Sequence, residues 1–182
     1  MRSAMPRDLP NPWRAFLVGV DRQLPGPIEI HCLGGFVAAL YYDLPRPTND
    51  LDYVEVVPHD AMPTLQEIGG VESPLAKEHR VHLQHVAVAS LPESYAARLA
   101  EILPGTFQWL RIFALEPHDL ALSKLTRNSP IDRDDVAQLA RAVPLDADLL
   151  RMRYRKELRP IVIGDPGRHD RTLEMWLEAY FP

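Results

Sequence analysis

Trp13, Phe16, Leu17 and Val20 stand at i, i+3, i+4 and i+7, the spacing that gathers apolar side chains on one face of a helix. Pro25-Gly26-Pro27 ends that helix, because proline has no backbone N–H and glycine holds helical backbone poorly. Beyond it the pattern changes to short apolar runs. "IEIHCL" reads as a strand, "GGFVAALYY" as a turn into a short buried helix, "DLPRPTN" as a loop and "LDYVEVV" as a second strand. On that strand residues 50, 52 and 54 share a face, since strand side chains alternate. "HDAMPTLQEIGG" predicts a helix closed by glycine, and "HRVHLQHVAVA" a third strand. "ESYAARLAEIL" predicts a helix with Ala96, Leu99, Ala100 and Leu103 on one stripe, and "FQWLRIFAL" a fourth strand. Strands and helices in alternation place this part in the α/β (α+β) class, with a small mixed sheet flanked by helices.

From Glu116 the period is helical throughout. "EPHDLALSKLTR" opens with Pro117 at the first helical position, and "SPIDRDDVAQLARAV" with Ser129 as N-cap and Pro130 behind it, both favoured helix starts. "DADLLRMRYRKELR" and "RHDRTLEMWLEAYF" follow, the last with Leu173, Trp176, Leu177 and Tyr180 on one stripe. The change of period predicts a boundary near Leu115. Residues 1–115 form a sheet domain, and residues 116–182 a helical C-terminal part that packs on it, being too small for a secure core alone.

Composition narrows this only slightly. The net charge is −5 over 182 residues, so any basic surface for nucleic acid must be local. The 18 prolines are dispersed and read as punctuation of loops and helix starts. Cys32 is the sole cysteine, which excludes an internal disulfide and fits a cytoplasmic setting. No signal-peptide pattern and no membrane-spanning run is visible.

Two acidic groups carry the chemistry. Asp50 and Asp52 lie at the mouth of an apolar strand, just after a Gly-Gly pair. Carboxylates side by side repel, and each raises the other's pKa unless a cation meets both. Mg²⁺ takes carboxylate and phosphate oxygens, and a pair of such ions is the usual device for phosphoryl and nucleotidyl transfer. A D-x-D also arises by chance as an exposed strand start in a chain with 25 acidic residues. Gly34-Gly35 sits between strand and helix, where glycine lets a phosphate approach backbone N–H groups, or simply makes a tight turn. In the second half, Asp132 falls on the apolar stripe of Val136, Leu139, Ala140 and Val143, Asp135 on its edge, and Asp134 points away. Asp132 also stands at the capping-box position after Ser129, whereas Asp135 lies too deep to cap. Lys124 lies at the side of its helix's apolar stripe, where it reaches a site or snorkels at the rim.

Strand, Gly-Gly, short helix and "RPTNDLD" on the next strand resemble the nucleotidyltransferase superfamily of the DNA polymerase β type. "LGGFVAALYYDLPRPTNDLD" followed by "DLALSKLTRNSPIDRDDVAQL" looks like the bacterial AbiEii-like nucleotidyltransferases, which act as toxins of toxin–antitoxin pairs, and their uncharacterised relatives. The likeness runs from about Ile28 to Val143. It implies a nucleotidyltransferase fold and a Mg²⁺-dependent enzyme, with two ions expected, that transfers a nucleotidyl group from an NTP to RNA (tRNA among the acceptors) or to protein. An antitoxin protein is the implied partner, and no membrane is involved. By the same resemblance Asp50 and Asp52 bind the metal, and Gly34 and Gly35 hold the phosphates. Lys124 contacts the triphosphate, and Asp132 and Asp135 complete the site. Arg46 and Thr48 match the R-x-T that leads into the aspartates.

One departure stands out. Enzymes of this type usually carry a third carboxylate on a later strand, and "VHLQHVAVA" has none. Gln84 or His85 stands where it is expected. The alternative function is therefore a weak or inactive module of the same fold that binds a nucleotide or a protein partner. His79, His82 and His85 have no compact metal-ligand spacing. "RMRYRKELR" places Arg151, Arg155 and Arg159 on one helix face, a solvated face or a surface for RNA.

Overall fold

The computed structural model describes residues 9–45 and 47–181. The chain divides into two compact units. The first holds the residues up to Val88 together with Leu99–Ala114, and the second holds Ala89–Arg98 and the chain from Leu115.

The first unit is a five-stranded mixed sheet with helices, as the alternation predicted. Its elements are α1 (Trp13–Gln23), β1 (Ile28–Leu33), α2 (Gly34–Phe36) running on into a π-helical turn (Val37–Tyr41), β2 (Asp50–Val57), α3 (Met62–Gly69), α4 (Pro74–His79), β3 (His82–His85), β4 (Ala100–Ile102) and β5 (Leu110–Ala114). The strand order is β3-β2-β1-β5-β4. β1 runs antiparallel to β2 and parallel to β5, β3 runs parallel to β2, and β4 antiparallel to β5. β1 is central and almost continuously buried, as expected of a strand covered on both faces.

The apolar stripe of α1 is buried as its spacing predicted, with Phe16, Leu17 and Val20 fully enclosed. The Trp13 and Phe36 rings meet edge-on at 4.8 Å between centroids, which ties α1 to α2. Leu51, Tyr53 and Val56 of β2 are fully buried, while Asp50, Asp52 and Val54 between them are half-buried. The two-residue period separates a core face from a polar face as far as Tyr53, and an irregularity in the pairing with β1 at Val54 then shifts the parity so that Val56 is buried. At the far end of α1, buried Asp21 accepts hydrogen bonds from the backbone N–H groups of Gln108 (3.0 Å), Trp109 (2.7 Å) and Leu110 (2.8 Å). One carboxylate so satisfies three donors where β5 begins.

The sequence misplaces the segment "ESYAARLAEIL". It forms a short 3₁₀ turn, Tyr95–Arg98, and then strand β4. Ala100 pairs with Ala114 and Ile102 with Ile112, and this tertiary pairing overrides a helical pattern built on alanine and leucine. "FQWLRIFAL" is consequently the fifth strand, and the third shrinks to four residues, His82–His85.

The second unit is helical: α5 (Pro117–Ser123), α6 (Pro130–Ala142), α7 (Ala147–Arg153) extended by a π-helical turn (Tyr154–Leu158), and α8 (Pro166–Tyr180). A buried ion network holds it. Asp119, fully buried, accepts from Arg98 Nε (2.8 Å) and Arg153 Nη1 (3.0 Å). Arg98 also donates to Glu157 (2.8 Å), and Arg153 to Glu116. Burial alone would raise the Glu116 carboxyl, but His118, 2.6 Å away, and Arg153 hold it down to about 2. Among the described residues no helix is long and apolar enough to cross a membrane.

Candidate active site

The polar face of β2 begins with the aspartates. Asp50 and Asp52 alternate with buried Leu51 and Tyr53, so both carboxylates leave the same face of the sheet. The Thr48 hydroxyl donates to Asp50 Oδ1 at 2.9 Å and lies at the same distance from the Asp50 carbonyl oxygen. A residue from the loop thereby fixes the first carboxylate. Arg46, its partner in the sequence motif, lies outside the described residues.

Asp52 pairs in register with Leu33, the last residue of β1, which brings it against the glycine turn. Gly34 has φ +72°, and a Cβ built on it would overlap the Asp52 carboxylate. Glycine is thus required here twice, for a left-handed backbone and for the space that the carboxylate occupies. Gly35 is buried at the second position of α2. Cys32 is fully buried; burial first, and the charge of Asp52 second, push its thiol well up. That is the setting of an inert core residue.

The register of β3 resolves the histidines. His82 lies beside Asp50, Gln84 beside Asp52 and His85 beside Tyr53. Neighbours in register share a face, so His82 and Gln84 flank the carboxylates. His85 turns to the core side, its ring tilted against that of Tyr53 at 5.4 Å. Of the two residues that the sequence offered in place of a third carboxylate, Gln84 is on the aspartate face and His85 is not. His82, which the sequence reading passed over, joins it, because the parity of a short strand is fixed only by its pairing.

The second acidic group lies in the second unit. Ser129 and Asp132 form a reciprocal capping box at the start of α6. Asp132, fully buried, also accepts from Arg127 Nε (2.7 Å) and Nη2 (2.6 Å). Burial would raise its pKa, but Arg127 and Ser129 bring it to about 2. Lys124, 5% exposed, donates from Nζ to Asp135 Oδ2 at 2.7 Å and lies 3.8 Å from Asp132 Oδ1. Asp134 is exposed, as the helical spacing predicted.

The structure therefore groups the sequence-selected residues as two clusters. Gly34, Gly35, Thr48, Asp50 and Asp52 meet in the first unit. Lys124, Asp132 and Asp135 meet in the second. Among the described residues no group of three or more His, Cys, Asp or Glu gathers to hold a metal. The donor set of the first cluster, two carboxylates on one strand face, still suits Mg²⁺, which is held through one or two carboxylates and completes its shell with phosphate and water oxygens.

The basic run is knitted into the second unit. Arg151 pairs with Glu174 (3.0 Å), Arg155 with Glu174 (3.7 Å) and Arg159 with Asp170 (2.8 Å), while Arg153 is buried in the ion network. A cavity of about 720 Å³ opens between this turn and α8, lined by Tyr154, Arg155, Arg159, Asp170, Leu173 and Glu174. Arg159 and Asp170 in its wall neutralise each other, and no sequence-selected acid lines it.

No curated protein and no solved structure matches the chain. Residues 27–176, a span that includes both acidic clusters, match the family described as "Nucleotidyltransferase of unknown function (DUF6036)", and the chain belongs to that family.

Proposed function

We propose that this protein transfers a nucleotidyl group from an NTP to a hydroxyl on RNA, tRNA included, or on protein, with Mg²⁺ bound by Asp50 and Asp52. The observation that carries the reading is the placement of these two carboxylates. They share one face of β2, and Asp52 fills the space that Gly34 leaves by lacking a side chain. Mg²⁺ bound there would polarise the α-phosphate.

The protein's own residues do the rest. Thr48 holds Asp50 in place. Gly34 and Gly35 present backbone to the phosphates, and Lys124 is the contact for the triphosphate. Asp135 holds the Lys124 ammonium and Asp132 supports the same cluster. The acceptor oxygen forms a bond to the α-phosphorus, and the bond from that phosphorus to the bridging oxygen breaks. Pyrophosphate leaves, and the hydroxyl proton passes to solvent. A kinship with AbiEii-like toxins, and with it an antitoxin partner, extends this reading and rests on the sequence likeness alone.

The test is transfer of α-³²P label from each of the four NTPs, with Mg²⁺, to total tRNA and to the protein itself. Label that disappears in Asp50→Ala/Asp52→Ala supports the transferase. Full transfer by Asp52→Asn overturns it. A second reading, a nucleotide-binding module without turnover, is favoured by His82 and Gln84, where a third carboxylate would stand, beside the aspartates. Calorimetric NTP binding without any label transfer would select it.

A further inference from the structure

We infer that the aspartate site takes one divalent cation rather than two, because the strand positions flanking the carboxylate pair carry no further carboxylate. This rests on the transferase reading above and goes beyond it by fixing the metal count from the sheet register. Asp52 has Leu33 beside it on β1 and Gln84 beside it on β3, and Asp50 has His82 beside it on β3. Residues paired in register project from the same face. The neighbours that would supply further hard oxygen anions are therefore a leucyl group, an amide and an imidazole. Gln84 directs its amide N–H along its own strand, to the His85 carbonyl oxygen at 3.2 Å.

The two sequence-selected carboxylates of the second unit are engaged within that unit. Asp132 is held by Arg127 and Ser129, and Asp135 by Lys124. A two-ion clamp sets two doubly charged cations about 4 Å apart. They repel as the product of their charges, and only bridging and flanking anions offset this. Two carboxylates supply the protein ligands of one Mg²⁺, which completes its shell with phosphate and water oxygens, whereas a second ion would have the triphosphate alone for its anions.

The inference is tested by counting ions without any turnover. Native mass spectrometry is run on the full chain with Mn²⁺, which takes the same oxygen ligands, and each of the four α,β-methylene NTP analogues in turn. The expected result is one Mn²⁺ per nucleotide-bound chain. Gln84→Glu, which adds a carboxylate beside Asp52, is expected to bind two, and His82→Asp serves as an independent second variant. Two ions in the unmodified chain would overturn the count and leave the transferase reading standing. A count of one in both variants would overturn the claim that β3 sets it. Binding that is identical in Asp52→Asn, or no ion with any nucleotide, would overturn the transferase reading and the count with it.

Discussion

The acids of the two units are held in place by different means. In the helical unit each buried carboxylate is accounted for by side-chain partners: Asp119 by Arg98 and Arg153, Asp132 by Arg127 and Ser129, Asp135 by Lys124. In the sheet unit strand alternation aims Asp50 and Asp52, the Thr48 hydroxyl holds the first, and a glycine with φ +72° gives up its side-chain space to the second. A carboxylate inside an ion network is explained by the stability of that network. The carboxylate for which the chain reserves a left-handed glycine is one of the two proposed above to meet the metal.

That contrast can be broken from either side. The largest expected effect is on transfer. Asp52→Asn should lower label transfer by about three orders of magnitude, the several kcal/mol expected for a lost metal ligand, with an unchanged thermal midpoint. Gly34→Ala should approach the same loss, because the new Cβ displaces Asp52 and strains the backbone. A fully active Gly34→Ala enzyme would show that the carboxylate position is incidental. Next in size, Asp119→Ala should cost about 3–5 kcal/mol in denaturant unfolding, since it leaves buried guanidinium uncompensated. Nucleotide binding should be unaffected if the network is purely structural.

Lys124 sharpens the comparison, since it is buried like a network member yet is the proposed triphosphate contact. Lys124→Met/Asp135→Leu removes both charges and should retain most of the stability, as replaced buried pairs often do. Label transfer should nonetheless fall at least tenfold. A stable and fully active double variant would make the pair a staple only.

A smaller effect is expected from acid. Glu116 and Asp132 both have folded pKa values of about 2, below the ordinary carboxylate range of about 4. Their stabilisation is complete above the unfolded value and is lost as pH falls through the folded one. Unfolding midpoints should be flat from neutral pH to about 4 and fall between about 4 and 2. Arg127→Ala should make that fall shallower, because it removes a partner that depresses Asp132. Smallest of all, Arg155→Ala should change stability by less than about 1 kcal/mol, as exposed pairs do.

Much of this was legible in the sequence because it is local. The α1 stripe, the alternation that sets Asp50 beside Asp52, the capping box at Ser129 and the inward turn of Asp132 and Asp135 each depend on residues within a turn or two. What escaped depends on distant partners. β4 exists because Ala100–Ile102 finds β5, and nothing within "ESYAARLAEIL" announces that. Asp119 and Arg153 are 34 residues apart, and Arg98 and Glu157 are 59 apart. That His85 faces the core while His82 stands beside Asp50 was hidden because the face of a four-residue strand follows from its register with β2.

The excursion of Ala89–Arg98 has a practical consequence. The backbone passes between the two units at three places, near residues 88, 98 and 114. A fragment cut at Leu115 would therefore lose Arg98 and leave Asp119 and Glu157 short of a guanidinium. The complementary fragment would carry a ten-residue orphan between β3 and β4. Neither unit can be excised by one scission, so expression trials and fusion junctions should keep both units in a single polypeptide.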